Sequence, residues 1–220
     1  MIARELISEA IPPLVPSDSV QKVLERMAEF RLSHLPVVEE SQFLGVISDE
    51  DLFEVRDYSL LLSETGLSLN RIFVDHQQHI YEVIRLFYES RMSVVPVLDE
   101  NRNYLGVVSV NTMMEYMASI TSMKEPGGII VLEMTNRNNS LSHIAQIVES
   151  NNARILSSYI TSFVDSTRTD ITIKLNRSDI SGIVSAFLRY EYNVIATFND
   201  IQNDSGTADR YDQLMNYLSF

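Results

Sequence analysis

Arg31-Leu32-Ser33-His34-Leu35-Pro36-Val37-Val38 returns sixty residues later as Arg91-Met92-Ser93-Val94-Val95-Pro96-Val97-Leu98. A tandem match of this kind marks one duplicated unit. It continues downstream, where Leu44-Gly45-Val46-Ile47-Ser48 returns as Leu105-Gly106-Val107-Val108-Ser109 with one residue inserted between the blocks. Upstream, Val20, Val23, Leu24 and Met27 are echoed by Ile80, Val83, Ile84 and Phe87, a spacing that lays four apolar side chains on one helix face. Each unit therefore reads as helix, apolar strand, turn, apolar strand, helix. Neither unit is large enough to bury its own core, so the two must share one.

The strands of the first unit, Leu35 to Val38 and Phe43 to Ile47, are apolar without polar alternation. Such runs suit strands covered on both faces. After the second strand, Gly45-Val46-Ile47-Ser48-Asp49-Glu50-Asp51-Leu52 turns the chain into a helix. The start of that helix is expected to offer free backbone N–H groups and a positive dipole end to a phosphate or a sugar hydroxyl. The same Ser-x-x-Asp spacing is also a capping box, useful to any helix start.

Composition bounds the function. The chain has 220 residues, 45% hydrophobic and 21% charged, ordinary globular material for two domains. Its formal net charge of −13 repels a phosphate backbone, which argues against nucleic-acid binding. No run approaches the length of a membrane span, and Met1-Ile2-Ala3-Arg4-Glu5 lacks the features of a secretory signal. Without cysteine there are no disulfides, no thiolate metal site and no cysteine nucleophile. A cytoplasmic protein is expected. His76-Gln77-Gln78-His79 has no cysteine near it and is not expected to hold a metal. The Met113, Met114, Tyr116 and Met117 set fills core or a subunit interface.

The duplicated apolar-Pro-Val strand followed by Gly-apolar-apolar-Ser-x-x-Asp resembles the cystathionine-β-synthase (CBS) domain pair. The resemblance covers about residues 1 to 120 and implies an α/β disk binding adenosine-containing ligands in clefts between two units. It assigns Asp51 to the ribose hydroxyls, whose cis diol two carboxylate oxygens can grip, and Ser48 to the ribose or phosphate. His34 takes the position from which some relatives reach ligand phosphate, with Leu35, Pro36 and Val37 beside it. His34 also reads as a partly buried packing residue. In the second copy Thr112 stands where the acid belongs and Val94 where His34 stands, so Ser109, Thr112, Val95 and Pro96 line a weaker cleft. One competent site per chain is expected.

Glu125-Pro126-Gly127-Gly128 breaks the chain. Beyond it Ile129 to Met134 reads as a strand, followed by a helix capped by Asn139 or Ser140. Arg154 to Phe163 and Ile171 to Leu175 read as strands around a polar turn. A helix capped by Ser178 or Asp179 and a strand from Tyr192 to Phe198 complete the set. This βαββαβ order predicts a ferredoxin-like sandwich and resembles the ACT domain, whose relatives bind amino acids at subunit interfaces. The equivalent ligand loop contains Asn136, Asn138, Asn139 and Ser140 but no glycine, leaving a dimerisation or docking role as the alternative. The stretch from Asn199 to Phe220, with four aspartates against one arginine, reads as a short acidic helix.

The expected fold is thus mixed α/β (α+β): CBS unit 1 at 1–62, CBS unit 2 at 63–124, an ACT-like domain at 127–200 and an acidic tail at 201–220. A CBS pair followed by one ACT-like domain is similar to the acetoin-utilisation family, as are the segments His34 to Val38 and Asn139 to Ala145, which implies a stand-alone regulatory protein. The reading is a homodimeric, non-catalytic sensor of an adenosyl ligand (AMP, ADP, ATP or S-adenosylmethionine) that signals to a regulated protein and needs no cofactor or metal. The alternative is an interaction protein whose clefts are vestigial. No phosphate loop, dinucleotide fingerprint or nucleophile elbow suggests catalysis.

Overall fold

A computed structural model describes residues 1–8, 10–134, 140–163 and 168–199. The chain divides into two compact units, Met1–Tyr116 and Met117–Phe220.

In the first unit both repeats use the same local devices at equivalent positions. Helix α1 (Val20–Phe30) buries Val20, Val23 and Met27, and helix α3 (Ile80–Ser90) buries Ile80 and Val83. Ser19 Oγ caps α1 by accepting the Lys22 N–H, and His79 Nδ1 caps α3 by accepting the Tyr81 N–H, so His79 serves as a cap. Both helices end on an arginine in the left-handed region, Arg31 at φ 54° and Arg91 at φ 55°, a position more often given to glycine.

Strands β1 (His34–Glu39) and β2 (Gln42–Ser48) form an antiparallel hairpin. Their counterparts β4 (Val94–Leu98) and β5 (Tyr104–Ser109) do the same, and the register shifts at Val37/Val38 in one and at Val97/Leu98 in the other. A short extra strand precedes each helix. Strand β3 (Val74–Asp75) pairs in parallel with β4, and Leu14 makes the equivalent parallel bridge to Val37. Leu35, Val37, Ile47 and Leu14 share one buried cluster with Val94 and Val107 of the second repeat. The shared core follows from the size of each unit. Helix α2 (Asp49–Phe53) is shorter than its counterpart α4 (Val110–Ile120); beyond it the Asp57 carboxylate accepts the N–H and hydroxyl of Ser59 and sets a turn instead.

The lead-in segments cross over. Residues 2–8 run across the second repeat, where Ala3 N–H donates to Gln78 O and Ser8 N–H to Val107 O. The linker runs across the first repeat, where Leu62 N–H donates to Asp18 O and Val46 and Asn70 exchange both backbone bonds. Each hairpin is therefore flanked by the segment that leads into the other repeat.

The second unit contains β6 (Ile129–Met134), α5 (Leu141–Ser150), β7 (Ile155–Ser162), β8 (Thr169–Leu175), α6 (Ser181–Arg189) and β9 (Asn193–Phe198). The sheet order is β7-β8-β6-β9, antiparallel throughout. Ile130, Leu132, Ile171 and Ile173 on one sheet face pack with Ile144, Val148, Ile183 and Phe187 of the two helices. Ser140 Oγ caps α5 by accepting the His143 N–H. Helix α6 starts at Ser181, later than expected, with Ile180 at the cap position; Asp179 binds the Ser181 N–H and hydroxyl from outside the helix.

Candidate functional site

The antiparallel register of the first hairpin sorts the expected ligand residues by face. Directly paired residues project to the same side, and the pairs are His34 with Ser48, Leu35 with Ile47, Pro36 with Val46 and Val37 with Gly45. His34, Pro36 and Ser48 therefore share one face. Leu35 and Val37 project from the other, into the core, and do not join them. On that second side Val37, Ile47 and Leu44 meet Leu62, Leu67 and Leu69 of the linker around a cavity of about 360 Å³.

Ser48 and Asp51 are tied to each other. The Ser48 hydroxyl donates to Asp51 Oδ2 at 2.6 Å, the Ser48 N–H donates to the same oxygen at 3.2 Å, and the Asp51 N–H donates back to Ser48 Oγ at 3.1 Å. This is the capping box. The expected free N–H groups are absent here, because Asp49 N–H donates to Ser33 O and Glu50 N–H to Asp49 Oδ1. Asp49, Glu50 and Asp51 also fill the first turn with negative charge, so an anionic ligand group would meet carboxylates there, not open amides.

His34 lies where the two repeats meet. Its Nδ1 is 3.0 Å from Ser33 Oγ and 3.4 Å from Ser93 Oγ, and it accepts the Ser93 N–H at 3.3 Å. Ser93 Oγ in turn accepts the N–H groups of Ser33 and His34 at 3.1 and 3.0 Å. Burial pushes the imidazole pKa below its ordinary value, against the pull of Asp49, Asp51 and Glu50. A neutral ring with an acceptor Nδ1 fits both facts.

In the second copy Val94 pairs with Ser109. The Thr112 N–H donates to Ser109 Oγ at 3.1 Å and the two hydroxyls are 3.0 Å apart, the same cap without a carboxylate. Val95 is fully buried in its strand and pairs with Val108, while Pro96 pairs with Val107. Of the expected loop in the second unit, Ser140 is the α5 cap; Asn136, Asn138 and Asn139 lie outside the described residues, as does the acidic stretch from Asp200 onward. Among the described residues no group of three or more histidines and acids is placed to hold a metal, and no helix is long and apolar enough to cross a membrane.

Sequence reading missed Ser33 and Ser93, although both stand at the same place in the duplicated octet, and it missed the crossed lead-in at Leu69 and Asn70. The first was legible as a repeated polar residue before an apolar strand. The second was not, because the crossing is a long-range choice between two copies of similar sequence.

The CBS domain family matches this chain at residues 3–58 and 68–119. An inosine-5'-monophosphate dehydrogenase of Halalkalibacterium halodurans is 22% identical over 120 residues, which are 54% of this chain and 25% of that protein. The match spans about a quarter of such dehydrogenases. An uncharacterized protein of Methanocaldococcus jannaschii is 21% identical over 57% of this chain and 48% of its own length. Among solved structures, a CBS domain pair/ACT domain protein of Thermotoga maritima is 26% identical with a TM-score of 0.49, covering 54% of this chain and 98% of that one.

Proposed function

Since this chain carries a tandem CBS domain pair at residues 3–58 and 68–119, we propose that it is a non-catalytic regulatory protein whose CBS pair senses an adenosyl ligand such as AMP, ADP, ATP or S-adenosylmethionine. The observation that supports this most is the convergence of His34, Ser48 and Asp51 on one side of a hairpin at the junction of the repeats. Asp51 holds the ribose diol, Ser48 bridges it to the ligand, and Pro36 packs beside them. Binding redirects the Asp51 carboxylate from its own cap to the ligand and changes the His34–Ser93 junction. That shift of population is the signal to a partner protein.

The domain limits of this reading are 1–62, 63–124 and 127–200. The second unit is ACT-like, supported by its βαββαβ order, and serves a homodimer as the docking or relay half of a cytoplasmic regulator. The Thr112 copy is a weaker cleft or an empty one.

A second reading has a specific observation behind it. Asp51 and Ser48 already satisfy each other, as they would in an interaction protein whose cleft takes no ligand. A thermal-shift panel of AMP, ADP, ATP and S-adenosylmethionine on wild type, D51A and D51N separates the two. D51A loses the carboxylate half of the capping box, while the residue 51 N–H still donates to Ser48 Oγ, and starts from a lower baseline, by about 1 kcal/mol, so each ligand-induced shift is read against the variant's own melting temperature. A shift of several degrees in wild type that vanishes in both variants supports the sensor; silence across the panel at millimolar ligand favours the interaction protein.

A further inference from the structure

The second unit contains a polar groove that the CBS reading does not use. It lies between α5 and α6, encloses about 460 Å³, and is lined by His143, Gln146, Ser150, Asn151, Arg189 and Tyr190 over Ile147 and Ala186. His143, Gln146, Ile147 and Ser150 fall at the spacing of one helix face. The helices run antiparallel, since His143 at the start of α5 meets Tyr190 after the end of α6 at 5.2 Å between ring centroids, and Asn151 after the end of α5 would lie 3.7 Å from a Cβ on Gly182 at the start of α6.

The imidazole is held in place. His143 Nδ1 lies 2.9 Å from the Tyr192 hydroxyl, and Tyr190 packs edge-on while the Tyr192 ring lies tilted beside it. The Tyr192 hydroxyl can donate to Nδ1, and in that tautomer Nε2 carries the N–H of the ring.

Charge decides the ligand class. None of the lining side chains is acidic in a chain of net charge −13, and Arg189 is exposed with no ion pair among the described residues. A guanidinium fork fits the two oxygens of a carboxylate, the imidazole N–H and the Gln146 amide add donors, and buried Ile147 and Ala186 offer a short apolar floor for a carbon skeleton. The volume suits a small metabolite. We propose that the α5–α6 groove binds a small organic carboxylate, with Arg189 and His143 as its charge-assisted donors.

The test is a ¹H–¹⁵N chemical-shift titration of the full chain with succinate, its uncharged analogue succinamide and inorganic phosphate. The expected result is saturable shifts with succinate at residues 143–151 and 186–190, none with succinamide, and weaker, unsaturated shifts with phosphate. Arg189 lies on the surface, so R189Q keeps the fold, seen as an unchanged spectrum elsewhere, and weakens succinate about tenfold, the worth of one charge-assisted bond. H143Q weakens it as well. Absence of saturable shifts, equal shifts with succinamide, or an unaltered response in R189Q each overturns the site. Phosphate binding as well as succinate overturns the carboxylate assignment.

Discussion

The Ser93 N–H donates to His34 Nδ1 at 3.3 Å, so a backbone amide of one repeat reads the protonation state of a side chain in the other. Protonated imidazole has no lone pair on Nδ1 to accept that bond. Burial lowers the His34 pKa below its ordinary value, opposed by Asp49, Asp51 and Glu50. A base whose folded pKa is depressed stabilises the fold fully above its unfolded pKa. Its contribution is lost as the pH falls through about 6.5 toward the folded value. The expected outcome is a melting temperature that declines on acidification in this window, by on the order of 1 kcal/mol for the lost bond. H34Q, which does not titrate, removes that part of the decline; a pH profile identical in wild type and H34Q would refute the assignment.

Gly45 and Gly106 stand at matching places in the two hairpins, at φ +155° and +147°. A Cβ on Gly45 would lie 2.5 Å from Leu69 Cβ and 3.1 Å from Asn70 O, and one on Gly106 would lie 2.4 Å from Ile7 Cγ2. These are the points where the crossed lead-in segments touch the strands. The obstruction at Gly45 includes backbone, whereas at Gly106 it is one methyl group that can turn away. G45A is therefore expected to cost more than G106A, by about 2 kcal/mol or more against about 1 kcal/mol, measured by urea denaturation. Equal costs would mean that the linker yields as readily as a side chain.

Asp18 is a buried carboxylate with its partners in place. Lys22 Nζ is 2.6 Å away, Arg26 Nη1 is 3.3 Å away, and the Val15 N–H donates to it at 3.0 Å. Burial raises its pKa, but the Lys22 and Val15 bonds and the Arg26 and Lys22 charges outweigh that and hold it below 3.8. A depressed acid stabilises the fold above its unfolded pKa and loses that contribution as the pH falls through the folded one. D18N is expected to destabilise the chain by about 1–3 kcal/mol at neutral pH. The gap between wild type and D18N should close as the pH falls below about 4, and a gap that stays constant down to acid pH would show that the carboxylate charge contributes nothing.

The duplicated helix-hairpin unit was legible because periodicity and repetition are local signals. Val20, Val23 and Met27 are buried on α1 as their spacing predicts. The strand bounds moved by only a residue or two, to His34–Glu39 and Gln42–Ser48. The order of elements in the second unit was equally plain from alternating patterns. Three things were not. The short strands at Leu14 and Val74 lie among prolines and polar residues, and only their parallel partners make them strands. The split of His34 and Ser48 from Leu35 and Val37 depends on hairpin register, which apolar runs without alternation leave unstated. The polar groove is invisible in sequence because Gln146 and Arg189 look like ordinary solvated positions until α5 and α6 are packed side by side.

The asymmetry between Asp51 and Thr112 gives a gain-of-function test. Thr112 N–H already donates to Ser109 Oγ at 3.1 Å, as Asp51 N–H does to Ser48 Oγ at the same distance, so the backbone of the second copy is set for an acid at this place. An aspartate there can accept the Ser109 N–H and complete the capping box, which makes T112D neutral or slightly stabilising. If the carboxylate is what grips a ribose diol, T112D adds a second adenosyl site, and titration calorimetry with the ligand found for wild type rises from one bound molecule per chain to two. D51T in the same background removes the first site and returns the count to one. Wild-type stoichiometry in T112D, with the cap formed and the fold intact, would show that the acid alone does not make a site and that the Val94 for His34 exchange also matters.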